Sequence, residues 1–259
     1  MAELVAKNLT VSAGAKAILS DASITLRQGE LVAVLGPNGA GKTTLARAML
    51  GVEMHAGSSE LDGKPVTSFS PMDRARKIAY LPQIRPLAWP AAVRDVVALG
   101  RYAHGAAIGR LKACDAEAVN RSLGACDLHP LADRATDTLS GGELARVHLA
   151  RAFVAEAPLM IADEPVAALD PRHQFQAMNL LRRYVDEGNG ALVILHDIAL
   201  AARFAERLVW MKNGQILADG SVEETLTETR LEEVYGISAR IVETEDGPAI
   251  IVRSPARQV

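Results

Sequence analysis

Short, wholly apolar runs alternate along this chain with stretches in which apolar residues recur every three or four positions. The first pattern belongs to strands, the second to helices with one buried face. Leu4-Val5-Ala6, Leu9-Thr10-Val11 and Ile24-Thr25-Leu26 predict short strands, with Gly14 and Gln28-Gly29 at the turns. They read as an antiparallel sheet leading into the apolar run Leu31 to Leu35. Leu61 to Val66 predicts a strand with a turn, and Ser70-Pro71 opens a helix with a capping hydroxyl and proline at its first position. Ile78-Ala79-Tyr80-Leu81 predicts a buried strand ending at Pro82-Gln83. From Ile84 to about Ala155 the pattern is mostly helical, with Val93, Val96, Val97 and Gly100 in helical spacing and further helices at Ala113–Leu123 and Ser140–Ala155.

Beyond that, Leu159 to Ala162 and Leu192 to Leu195 are buried strands, separated by a helix that Asp170-Pro171 caps. A helix to about Arg207 follows. A hairpin then turns at Asn213-Gly214, Ser221-x-x-Glu224 is a capping box, and a final hairpin is expected to turn at Asp246-Gly247. Buried strands alternating with helices imply a parallel sheet covered on both faces, with ligands at the carboxyl ends of its strands. Four polar sites fall just after strand ends: Gly36–Thr43, Gln83, Asp163-Glu164 and His196.

With 259 residues, 49% of them hydrophobic, the chain suits one large globular domain or two small ones. A net charge of −3 gives no case for nucleic acid or an anionic membrane surface. Cys114 and Cys126 lack metal-ligand spacing and read as reduced thiols of a cytosolic protein. The first residues carry no secretory pattern and no apolar run is long enough to span a membrane, so any membrane role is expected to come through a partner.

Gly36-Pro37-Asn38-Gly39-Ala40-Gly41-Lys42-Thr43 lies between an apolar strand and a helix starting near Thr44. That is the context of a phosphate-binding loop: glycines bring backbone N–H groups together on an anion, and the helix adds its positive end. Lys42 is expected at the β- and γ-phosphates and the Thr43 hydroxyl on Mg2+. Asp163 is suited to hold Mg2+ beside Thr43, and Glu164 to take a proton from an attacking water. The Gln83 amide is expected on Mg2+ or that water, and His196 on the γ-phosphate or the water. Ser140-x-x-Glu143 is a capping box, but glycines at 141 and 142 cost helix stability, about 1 kcal/mol each. They expose N–H groups to a second phosphate site, which one nucleotide uses if two copies of the chain face each other head to tail.

Together these residues resemble the nucleotide-binding domain of the ABC ATPases over nearly the whole chain. Gly36–Thr43 matches the P-loop, Gln83 the Q-loop, Leu139–Glu143 the signature motif, Ile161–Glu164 the acidic strand end, Ala168-Leu169-Asp170 the D-loop and His196 the H-loop. The resemblance implies an α/β P-loop NTPase fold: a RecA-like core (36–83 and 156–235), an antiparallel β subdomain (1–35), an inserted helical subdomain (84–155) and a C-terminal hairpin (236–259). It implies a head-to-tail dimer sandwiching two ATP, with Gly36 to Thr44 on the nucleotide in one copy and Ser140, Gly141, Gly142 and Asp170 completing the site from the other. Catalytic roles then fall to Glu164, His196 and Gln83, and metal binding to Thr43, Gln83 and Asp163. Val93–Arg101, His196–Ala205 and Leu231–Gly236 resemble importer ATPases for ferric siderophores, haem and cobalamin. The expected partners are two transmembrane permease subunits and, indirectly, a substrate-binding protein, at the cytoplasmic face of the inner membrane.

The chain departs from the family at three positions. Ala13 stands at the site resembling the adenine-stacking position and cannot stack, Val166 replaces a common threonine, and Glu143 replaces the commoner glutamine. A permease helix is expected to dock near Gln83 and the segment Ile84 to Val97, which carries Ile84, Leu87 and Trp89; the alternative is that these side chains form the helical subdomain's own core. Two alternatives compete: a soluble ABC ATPase, which normally needs a coiled coil, a second ATPase domain or a basic surface, and a small-molecule kinase, which leaves Leu139–Glu143 without a purpose.

Overall fold

The structure, a computed structural model, describes residues 1–14, 16–85, 87, 89–107, 109–245 and 247–255. In chain order the elements are β1 (Glu3–Ala13), β2 (Lys16–Arg27), β3 (Leu31–Leu35), α1 (Lys42–Met49), β4 (Ala56–Leu61), β5 (Lys64–Pro65), α2 (Pro71–Ala75) and β6 (Ile78–Leu81). Then come α3 (Val93–Ala98), a 3-10 turn at Leu99–His104, α4 (Ala113–Ala125), α5 (Gly141–Phe153), β7 (Leu159–Asp163), α6 (Pro171–Asp186), β8 (Gly190–Ile194) and α7 (Ile198–Phe204). The chain ends with β9 (Arg207–Lys212), β10 (Gln215–Ser221), α8 (Val222–Thr225), α9 (Glu228–Tyr235), β11 (Ile237–Thr244) and β12 (Gly247–Pro255).

The central sheet has the order β10-β9-β3-β8-β7-β6. Its strands are parallel except for β10, which pairs antiparallel with β9 through a turn at Asn213, φ 50°, and Gly214, φ 80°. Every residue of β3, β7 and β8 is buried, as continuous apolar runs require when both faces are covered. Alternate residues of each strand enter two different cores. Leu31, Ala33, Met160, Ala162, Ala191 and Trp210 pack on the side of α3, α4, α5 and α6. Val32, Val34, Ile161, Leu192 and Met211 pack on the other side, against α1 and the antiparallel sheet β2-β1-β4-β5.

Two expected N-terminal strands are one. β1 runs through Asn8, which adopts φ 54° at a register shift between Ala6 and Leu9. The polar pair Lys7-Asn8 therefore marks a bulge and not a turn. The helix expected around Gly100 stops at Ala98 and continues as a tighter 3-10 turn, bringing Gly100 onto the backbone of α5; a Cβ there would meet the Arg151 carbonyl oxygen at 2.1 Å. Next to it, Arg101 is buried with Asp115 at 2.9 Å and Glu156 at 2.7 Å, tying this turn to α4 and the end of α5. The C-terminal hairpin is present as β11 and β12, but Asp246 of its expected turn lies outside the described residues. No described helix is long and apolar enough to cross a membrane.

Candidate active site

The order of strands assembles the site. Val34 of β3 and Asp163 of β7 both pair with Ile194 of β8, so the ends of these three strands lie level. The chain leaves β3 at Gly36, β8 at Leu195-His196, β7 at Glu164 and β6 at Pro82-Gln83. Four sites far apart in sequence thus meet at one end of one sheet.

The loop after β3 is shaped by close approach. A Cβ on Gly36 would meet the Met211 carbonyl oxygen at 2.2 Å, so β9 excludes any side chain there. Gly41 N-caps α1 with φ 97°, and no side chain caps the helix. The first N–H groups of α1 are left for an anion. Lys42 is buried, and its ammonium donates to the carbonyls of Gly36 at 2.7 Å and Pro37 at 3.1 Å. Burial pushes its pKa down, and the nearby Glu164 and Asp163 carboxylates oppose that shift.

Asp163 ends β7 with no solvent exposure, and neither carboxylate oxygen has a hydrogen-bond partner of normal geometry among the described residues. Burial, the strongest influence, raises its pKa; the Thr43 hydroxyl nearby and the Lys42 and Arg85 cations favour the ionised form without overcoming it. Two unpartnered buried carboxylate oxygens beside a hydroxyl suit a hard divalent cation. Mg2+ retains waters and phosphate oxygens, so it does not need three clustered protein ligands, and no such cluster occurs among the described residues.

Glu164 departs from β7 with φ 50°, a left-handed conformation for a non-glycine residue. Its side chain is held at both oxygens: Gln83 Nε2 donates to Oε2 at 2.6 Å, and His196 Nε2 meets Oε1 at 2.5 Å. With Glu164 ionised, the histidine nitrogen is the donor. Arg85 Nη2 donates to the Glu164 carbonyl at 3.1 Å. Ala168, later in the same connection, has φ 60°. Each such residue costs about 1–3 kcal/mol and persists where its surroundings over-determine it.

These groups surround a pocket of about 440 Å3, lined by residues 38–44, Gln83, Glu164, His196 and Ile18. Gly36 and Pro37 hold Lys42 and do not line it. Ala13 is exposed on β1 and is not part of the wall; the large apolar group at the pocket is Ile18 on β2. Sequence reasoning missed Ile18, because only the tertiary contact of β2 with the Asn213-Gly214 turn, where the Ser20 N–H donates to the Gly214 carbonyl at 2.8 Å, brings it beside the loop; its carbonyl oxygen would lie 2.8 Å from a Cβ on Gly41. Gln83 and His196, expected at a metal, water or phosphate, both bond the Glu164 carboxylate.

Ser140, Gly141, Gly142 and Asp170 do not line this pocket. Ser140 and Glu143 form the capping box of α5, with the Glu143 N–H donating to Ser140 Oγ and the Ser140 N–H to Glu143 Oε2. Gly141 is exposed on that turn. Asp170 caps α6, accepting from the His173 N–H at 2.9 Å.

A second cavity, about 500 Å3, lies between α2, β6, the Leu99–His104 turn and α5. Leu99, Tyr102 and Met72 are exposed beside Arg151 in its wall. In the connection from β6 to α3, Ile84 and Trp89 are 77% and 63% exposed, whereas Leu87 packs on the core; residues 86 and 88 lie outside those described.

The sequence profile described as ABC transporter matches residues 19–167. The chain is 40% identical over 253 residues to the hemin import ATP-binding protein HmuV of Plesiomonas shigelloides, spanning 91% of this chain and 95% of that one. Its fold matches, with TM-score 0.83 and 23% identity over 98% of each chain, a metal-chelate type ABC transporter in an inward-facing conformation. It also matches, with TM-score 0.72 and 25% identity over 85% of this chain and 98% of the other, the ATP-binding cassette MJ0796 in a dimeric post-hydrolysis state bound to ADP and Pi.

Proposed function

The chain belongs to the ABC transporter family, and we propose that it is the ATP-hydrolysing subunit of an importer for haem or a related iron-siderophore or cobalamin-type chelate. The observation that carries the chemistry is the double hold on Glu164, with His196 on one oxygen and Gln83 on the other at the mouth of the phosphate loop. A carboxylate held this way is aimed before a water arrives, so orientation costs nothing at the moment of reaction. Glu164 accepts the water's proton as the water attacks the γ-phosphorus. Lys42 and the N–H groups of α1 stabilise charge on the phosphate oxygens. Thr43 and Asp163, with the Gln83 amide beside them, are the residues that would hold Mg2+, which neutralises phosphate charge when bound.

The importer reading rests on the hemin import relative, which this chain matches over nearly its whole length. In this reading the sheet β2-β1-β4-β5 is the platform, the central sheet the ATPase core, 84–155 the helical arm and β11-β12 the terminal hairpin; the expected bounds 1–35 and 36–83 shift, because β3 lies in the core sheet and β4 and β5 in the platform. Two copies meet head to tail, with Ser140, Gly141, Gly142 and Asp170 of one on the nucleotide held by Lys42 of the other. The exposed Ser140 and Gly141 of the α5 capping turn support this, since neither lines the pocket of its own chain. Two permease subunits dock at the cytoplasmic membrane face, each placing a short helix in the cavity at Leu99, Tyr102 and Met72 and against Ile84 and Trp89. The decisive experiment reconstitutes the subunit with its permease in vesicles and follows ATP-dependent haem uptake. Trp89→Asp and Tyr102→Asp are expected to abolish uptake while the isolated subunit keeps its basal ATPase; undiminished uptake would refute the docking site.

A further inference from the structure

The two glycines of the α5 capping turn face different surroundings. A Cβ on Gly141 would meet nothing within 4 Å. A Cβ on Gly142 would meet the imidazole of His173, 2.2 Å from Cδ2, 2.5 Å from Cγ and 2.6 Å from Nε2. Gly142 is buried and its backbone is helical, so no unusual φ demands glycine there. In an ordinary helix alanine would be better by about 1 kcal/mol. Within this chain the requirement comes from one neighbouring ring.

That ring is itself fixed. His173 Nδ1 donates to Asp170 Oδ2 at 2.8 Å, while the His173 backbone N–H donates to Asp170 Oδ1 at 2.9 Å. Asp170 is therefore bonded at both oxygens by one residue, and the same residue packs on the first turn of α5. The starts of α5 and α6 are joined through this histidine, whose side chain is 30% exposed.

We propose that His173 is a positioning residue that locks the Ser140–Gly142 turn and the Asp170 cap into one rigid face, presented to the nucleotide of a second copy. This rests on the head-to-tail reading above and goes beyond it. It assigns the two glycines different duties: Gly141 leaves space for a group from outside the chain, and Gly142 leaves space for His173. The face is therefore set within each copy before the copies meet, so that closure does not bear the cost of ordering it.

The test is a double-mutant cycle on the full-length chain. ATPase rate is the first readout. ATP-induced dimerisation in a Glu164→Gln background, followed by light scattering, is the second. Gly142→Ala alone is expected to lower both by well more than about tenfold, and adding His173→Ala, which removes the ring, to bring both back to the level of His173→Ala alone, because touching residues couple. Gly141→Ala is the control: its cost is expected to be the same with or without His173. His173→Ala alone should weaken dimerisation several-fold and leave nucleotide affinity of the single copy unchanged, a split that mere loss of stability would not produce. Restoration of dimerisation in the Gly142→Ala, His173→Ala pair supports the assignment. Strictly additive losses, with Glu164→Gln still forming a dimer, overturn this inference alone. A Glu164→Gln chain that stays monomeric with ATP overturns the head-to-tail reading and this inference with it.

Discussion

Two helix starts in this molecule carry glycine next to hydroxyl residues, and they are finished in opposite ways. At α1 no side chain caps the helix, Gly41 is left-handed, and a buried lysine stands at the first position. At α5 the capping box pairs the Ser140 and Glu143 N–H groups, and Ser140 and Gly141 lie open to solvent. The first start is incomplete without an anion and is ringed by its own chain's Gln83, Glu164 and His196. The second has two of its N–H groups paired by its own cap and no such ring. A helix start ringed by side chains of its own chain builds a site alone, whereas one that stands outside such a ring can only complete a site built elsewhere.

Mutations can break this contrast or sharpen it. The largest effect is expected from Glu164→Gln, which keeps the shape of the side chain and removes the proton acceptor. Turnover should fall by about a thousandfold or more, as for loss of a positioned base combined with its aligning contacts, with nucleotide binding kept. Next comes Lys42→Ala, expected to weaken nucleotide binding of the single copy by about a hundredfold through loss of a charged phosphate contact. Equilibrium titration with a fluorescent ATP analogue measures it, and unchanged affinity would contradict the assignment of the α1 start. Ser140→Ala should leave that titration unchanged and lower ATPase turnover by about tenfold, and separately lower folding stability by about 1 kcal/mol through the lost cap. Mixing Ser140→Ala with Lys42→Ala chains should then recover activity, because a mixed pair contains one intact composite site.

A last test leaves turnover aside and concerns stability, through the polar side chains that the two helices bury. α1 buries a lysine that carboxylates face; α5 buries His148, 4% exposed, with Nδ1 unpartnered. Burial first, then Arg151 and Arg85, push the His148 pKa down to about 4. The native state therefore keeps it neutral where the unfolded chain, titrating near the ordinary value of 6.5, is protonated. Stability should be full above that value and fall as pH drops toward 4, by an order of magnitude of 3 kcal/mol at most. His148→Gln should flatten this acid limb in urea unfolding, and an unchanged slope between wild type and variant would refute it.

Much of this architecture was legible in the sequence because burial on both faces writes itself as unbroken apolar runs. Ile78–Leu81, Leu159–Asp163 and Gly190–Ile194 are such strands, and each leads to a polar residue at the pocket. Capping signals were equally local: Ser70, Ser140, Asp170 and Ser221 all cap as their neighbours predict. What escaped depends on distance and strain. Nothing about Glu164 or Ala168 as residue types announces a positive φ. The bonds from Gln83 and His196 to Glu164 span 81 and 32 positions and follow only from strand order. The bulge at Asn8 split one strand into two in the sequence pattern, because a polar pair interrupts the apolar alternation there without ending the strand.

Ile18 has one more consequence. Among the described residues it is the only large apolar side chain lining the phosphate pocket, and an aliphatic wall offers a base no hydrogen-bond edge to read. Where the base lies against Ile18, fit discriminates little and supply decides: GTP in place of ATP is expected to change the hydrolysis rate by less than about tenfold.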